Sequence, residues 1–132
     1  MQSSHTEINI MSFESQLFDW IDQCLSEPID KSVIAFSFNL NEPYAIELIG
    51  SSEFDMEDSD WACSEDFVPS HRQIAIPGKV CSGDWEECLE IMTKLVKKYL
   101  ASDRPGAKTL HSSKAVAIGF VDGDLNVVYA TG

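Results

Sequence analysis

VIAFSFNLNEPYAIELI, residues 33–49, decides between a helical bundle and a sheet-based fold. Ile34, Phe36, Phe38 and Leu40 alternate with small or polar residues, the period of a strand with one buried face, and aromatic and β-branched side chains suit a pleated surface. Asn41-Glu42-Pro43 interrupts the run, and Pro cannot continue a ladder. Tyr44, Ile46 and Leu48 then alternate with Ala45, Glu47 and Ile49. The stretch predicts an antiparallel hairpin with one apolar face, and such a face must be covered by another layer.

Covering elements are encoded on both sides. Upstream, Phe13, Leu17, Trp20, Ile21, Cys24 and Leu25 recur at three- and four-residue spacing, with Glu14, Asp19, Asp22 and Gln23 between them. This pattern predicts an amphipathic helix over 12–26, capped by Ser12, closed before Pro28 and acidic on its outer face. Residues 1–11 are polar and unpatterned and read as a loose leader or a short edge segment. Downstream, Asp84 with Glu87 three residues later opens a second helix. Its apolar stripe is Trp85, Cys88, Leu89, Met92, Leu95, Val96, Tyr99 and Leu100, with Glu86 and Glu87 early and Lys97 and Lys98 late. Glu90 and Lys94 stand at i,i+4 in the favourable order. Asp103 to Ser113, with Pro105 and Gly106, reads as a loop. AVAIGFV (115–121) and LNVVYA (125–130) flank Asp122-Gly123, a strong hairpin signal, and the first of them is apolar on both faces, as a central strand is.

Between the hairpins, Trp61-Ala62-Cys63 reads as a short third strand and Ile74-Ala75-Ile76-Pro77 as an edge-like fourth. The predicted order is α-β-β-(β)-(β)-α-β-β. It implies an α+β fold with a single, mostly antiparallel sheet of four to six strands and two amphipathic helices on one face. No repeat or linker divides residues 1–132, and a chain of this length with this apolar content makes one domain with a real core.

Charge is distributed unevenly. The chain holds 22 acidic and nine basic residues, a net of −13. Residues 1–66 contain 15 acids and one base, Lys31, whereas residues 67–132 contain seven acids and eight bases. Such a field repels nucleic acid and anionic membranes and speeds encounter with basic surfaces. No apolar run approaches the ~20 residues of a membrane helix, and the N-terminus lacks the basic start and apolar stretch of a secretion signal. A cytoplasmic setting is expected, with Cys24, Cys63, Cys81 and Cys88 reduced, since they lack metal-binding or redox spacing.

EFDMEDSDWACSEDF (53–67) stands apart from the rest: seven of its fifteen residues are acidic, with Phe54, Met56, Trp61 and Phe67 interleaved. That many carboxylates cannot be buried unpaired. Asp55, Glu57, Ser59 and Asp66 fall at EF-hand-like positions, but Asp60 sits where that loop needs Gly, Asp66 replaces the bidentate Glu, and no helices flank the segment. Paired carboxylates for acid/base chemistry are available by number alone. His5, His71 and His111 lie in the leader or in predicted loops, and neither a nucleophile motif nor a phosphate cradle is present. The expectation is a binding protein, not an enzyme, with no cofactor and no metal. Acids steer a basic partner while aromatics supply buried anchors. The predicted partner-binding residues are Asp19 and Asp22 on the first helix, and Glu53, Phe54, Asp55, Glu57, Asp58, Asp60, Trp61, Glu65 and Asp66 in the acidic segment. Trp61 has a second reading, as a core residue of a short strand.

With FDMEDSDWAC (54–63) as the most telling stretch, the chain resembles the small acidic immunity proteins of bacterial polymorphic and contact-dependent growth inhibition toxin systems. The resemblance lies in the organisation of the chain, not in an invariant motif. It implies binding of one cognate toxin, typically a basic nuclease, with acidic side chains standing in for substrate phosphates. A regulatory or adaptor module that binds another basic protein is the alternative, followed by a calcium-binding module or a small enzyme.

Overall fold

The computed structural model describes residues 2–42, 44–121, 123 and 125–131, and side chains from residue 10 onward. The elements are α1 (Gln2–Leu25), β1 (Ala35–Asn41), β2 (Ala45–Ser51), a 3₁₀ turn (Ser59–Cys63), β3 (Gln73–Ala75), α2 (Trp85–Leu100), α3 (Pro105–His111), β4 (Ala115–Phe120) and β5 (Asn126–Ala130). The five strands form one sheet in the order β3-β2-β1-β4-β5. The two predicted hairpins, β1/β2 and β4/β5, are both present and antiparallel. They join through β1 and β4, which run parallel, so the sheet is mixed. The turn residues Pro43 and Asp122 lie outside the described residues.

Alternation along the strands gives the sheet two different faces. Phe36, Phe38, Leu40, Ile46, Leu48, Val116 and Ile118 belong to the main core, together with Leu17 and Ile21 of α1, Met92 and Val96 of α2 and Leu110 of α3. All three helices therefore lie on that side. Ala35, Ala115 and Ala117 point the other way and pack with Trp61. β4 is buried from Ala115 to Gly119, as its two-sided apolar sequence requires.

Several expectations are corrected. α1 starts at Gln2, ahead of Ser12, so residues 2–11 continue the helix and are neither a loose leader nor a short edge segment. A third helix occupies part of the predicted loop at 103–113. Pro105 takes a first-turn position, where its missing N–H is not needed, and a Cβ on Gly106 would overlap the Tyr99 hydroxyl and lie 2.9 Å from Leu25 Cδ1. Pro-Gly therefore marks a helix start pressed against its neighbours. Trp61-Ala62-Cys63 is a 3₁₀ turn and not a strand: the Asp58 side chain accepts a bond from the Asp60 amide, a local alternative to strand pairing. The edge strand falls at Gln73–Ala75.

α2 starts as predicted, with Asp84 Oδ1 accepting from the Glu87 amide at 2.9 Å, and the Glu90–Lys94 pair is made at 3.3 Å. Cys88, in its first turn, is joined by a disulfide to Cys81, seven residues earlier. Two of the four cysteines expected as reduced thiols are thus paired, because the bend at 77–84 brings two buried sulfurs together. Cys24 remains a thiol, its pKa pushed up to about 12 by burial and by the charge of Glu27.

Candidate partner-binding surface

The acidic segment is a compact loop closed at its base and fastened at its centre. Gly50 bridges Phe67 across the base, with Gly50 N–H donating to Phe67 O and Phe67 N–H donating back, at 2.9 and 3.0 Å. The approach is close: a Cβ on Gly50 would meet Val33 Cγ1 at 2.8 Å and Phe67 Cβ at 3.0 Å. At the centre, Trp61 is 4% exposed and fills the space over the alanines of β1 and β4. Phe54 packs edge-on against it with ring centroids 5.3 Å apart. The buried Ser51 hydroxyl donates to Trp61 O at 2.8 Å and accepts from the Glu53 amide at 3.0 Å.

Three carboxylates of the loop, Asp55, Asp58 and Asp66, also hold its backbone, and Glu53 holds a side chain across it. Asp55 Oδ1 accepts from the Glu57 amide at 2.9 Å, Asp58 Oδ1 from the Asp60 amide at 3.0 Å, and Glu53 Oε2 from the Ser64 hydroxyl at 2.7 Å. Asp66 Oδ2 accepts from the Ser52 amide at 2.8 Å, which holds its carboxyl below the usual carboxylate range. Short side-chain-to-backbone bonds of this kind set turns while leaving further lone pairs directed at solvent.

Beside the loop, the open face of the sheet carries a polar row. Ser37 Oγ donates to Asn39, Asn39 donates to Glu47 at 3.1 Å, and Arg72 bridges Glu47 and Glu65 at 3.1 and 2.9 Å. Asn39, Glu47 and Glu65 of this row line a hollow of about 320 Å³ together with Asp60, Cys63 and Val121. The hairpin register places Asn39 opposite Glu47, so this cluster was legible once the strands were paired. Glu65 and Arg72 join it only through the path of the loop.

The predicted residues divide into two groups that the structure does not bring together. Asp19 and Asp22 lie on α1, on the helix side of the sheet, and both accept from Arg104 Nη1, at 2.9 and 3.0 Å. Asp22 also accepts from the Tyr99 hydroxyl at 2.5 Å; burial and that bond raise the Tyr99 pKa above its ordinary value. These acids tie α1 to α2 and α3. On the loop, buried Trp61 and half-buried Phe54 pack edge-on against each other and serve as its foundation. Asp55, Glu57, Asp58 and Asp60 are exposed, and none has an ion pair among the described residues. Among the described residues the most exposed aromatic side chain is that of Trp85, 47% exposed at the start of α2, a residue that the helical periodicity assigns to the core stripe. Its place in the first turn, directly after the cap, was the available signal.

Among the described residues no group of three or more His, Cys, Asp or Glu is gathered to hold a metal ion. No described helix is long and apolar enough to cross a membrane. Comparison with protein-family models, with curated proteins and with solved structures returned no match.

Proposed function

We propose that the chain binds a basic protein through the loop at 53–66, and that it does so as an immunity or inhibitor protein that neutralises a cognate toxin in the cytoplasm, most simply a nuclease. The observation that carries this reading is the display of Asp55, Glu57, Asp58 and Asp60: four solvent-facing carboxylates on a backbone pinned by Trp61. A preformed loop gives up little conformational freedom on association, and its clustered charge accelerates encounter with a basic surface. A nuclease groove built for phosphates is one such surface, and carboxylates placed in it compete for the same cations. Asp19 and Asp22 are left out of the surface, since they are engaged with Arg104 on the far side of the sheet.

The test is to capture the partner from cells, identify it by mass spectrometry, and measure its kinetics against the wild type and a variant with Asp55, Glu57, Asp58 and Asp60 all changed to Lys. Steering predicts an association rate that falls steeply with salt in the wild type and is slower and nearly salt-independent in the variant, with protection against the toxin lost. Unchanged association and protection in the variant would remove the loop from the interface.

A further inference from the structure

A second hollow lies at the ends of β1 and β4 where the parallel strands finish. It has a volume of about 460 Å³ and is lined by Asn41, Glu42, Trp85, Phe120, Val121 and Gly123. Its walls are aromatic rings set nearly at right angles. Trp85 stands edge-on to Phe120 with centroids 5.9 Å apart and planes at 81°, and Tyr44 backs Phe120 at 6.0 Å and 66°. Trp85 and Val121 are 47% and 59% exposed, although both are large apolar side chains. Among the described residues no Lys or Arg lines the hollow, and the exposed Glu42 is part of its lining. Desolvation pushes the Tyr44 pKa upward, and the charges of Glu42, Asp84 and Glu87 add to it. Phe120, Val121 and Gly123 also line the polar hollow beside the acidic loop, so the two sites share a wall and form one continuous surface.

Aromatic walls open to solvent with a carboxylate in the lining favour an organic cation, whose charge meets the ring faces while its stem covers apolar surface. A planar guanidinium suits the site better than an ammonium: it stacks on an indole, is more weakly hydrated, and offers paired donors to a carboxylate. We propose that this hollow receives an arginine side chain of the basic partner, with Trp85 and Phe120 holding the guanidinium and Glu42 accepting its N–H bonds. The proposal rests on the partner-binding reading above and adds an aromatic site beside the loop, where the exposed apolar side chain is Met56.

The probe is the peptide acetyl-Gly-Arg-Gly-amide, titrated at low salt into ¹⁵N-labelled protein, with Lys and citrulline in place of Arg as comparators. Saturable shifts are expected at the Trp85 indole N–H and at the amides of Val121 and Gly123. Arg should bind tighter than Lys, and uncharged citrulline should give no saturable shift. Trp85→Ala and Glu42→Gln should each weaken the Arg peptide by about threefold or more, with circular dichroism unchanged. Glu42→Gln leaves the packing intact and so reports on charge alone. Equal response to citrulline, shifts confined to 53–66, or indifference to both substitutions would overturn the proposal. If the lysine-reversal variant abolishes partner binding while Trp85 stays silent to the peptide, the loop reading stands and this one falls. If Trp85 responds and the reversal leaves the partner bound, the opposite holds.

Discussion

Replacing Trp61 by Ala separates the two roles open to this residue, because they predict opposite results in the absence of any partner. A tryptophan facing a partner costs the isolated protein nothing when removed. The observed side chain is 4% exposed and packed over Ala35, Ala115 and Ala117. An aromatic of this size buries about 150–250 Å², worth roughly 4–6 kcal/mol at about 25 cal/mol per Å² as an upper bound. Core Trp truncations cost about 3–5 kcal/mol where the surroundings stay rigid. Here the residue sits on a loop, so the chain can partly collapse into the space. Its base remains held by the Gly50–Phe67 bridge and the Asp66–Ser52 bond, which limits that relief. The expected loss is therefore about 3 kcal/mol, a large share of the ~5–15 kcal/mol of an ordinary domain but short of unfolding it. Urea unfolding followed by far-ultraviolet circular dichroism measures the loss, and hydrogen exchange should show faster exchange at amides 52–66. A loss below about 1 kcal/mol with the loop still protected would refute the anchoring argument.

Two further outcomes follow from pairings that the sequence pattern did not announce. Reducing the Cys81–Cys88 disulfide reopens a short closed segment, and chain entropy sets the loss at about 2–3 kcal/mol; the urea midpoint should fall with dithiothreitol in the wild type and not in a Cys81→Ala/Cys88→Ala variant, and equal sensitivity in both would show that the bond does not form. Tyr99 is held protonated by burial and by its bond to Asp22, so its folded pKa lies above the unfolded value near 10. Its contribution is whole below that pH and declines as the unfolded phenol ionises above it, by up to about 1.4 kcal/mol per pH unit. Stability measured from pH 9 to 11.5 should fall more steeply in the wild type than in Tyr99→Phe; parallel curves would contradict the assignment.

The elements legible in the sequence were those whose pattern is set by a single repeated contact. Alternation in 33–49 gave β1 and β2 because each residue has only two sides to choose from, and the capped stripe from Asp84 gave α2 because one face carries all the burial. Features set by two distant segments meeting were not legible. Pro105-Gly106 reads as a loop until Tyr99 and Leu25 are seen pressing on Gly106. Trp61 reads equally as a strand or an anchor until the alanine floor of β1 and β4 is in place beneath it. The parallel contact of β1 with β4 joins residues about eighty positions apart with no local signal, so the hairpins were predictable and their union was not.

The same reasoning applies to charge. The acid-rich first half and the near-neutral second half look like separate properties of the sequence, but folding sets them against each other. Lys98 pairs with Glu14, Arg104 with Asp19 and Asp22, and Arg72 with Glu47 and Glu65; in each case the base comes from beyond residue 66 and the acids from before it. Such exposed pairs add little stability, since salt and side-chain entropy offset most of their attraction. Their larger effect is on the field: they neutralise acids on α1 and beside the sheet, while the tip of the loop keeps Asp55, Glu57, Asp58 and Asp60 uncompensated. An excess spread over half the sequence thus becomes a local one. At physiological salt, where the Debye length is about 8 Å, only charges clustered so closely act together on an approaching partner. The loop could therefore steer a basic surface even though the net charge of the whole chain, screened at longer range, could not.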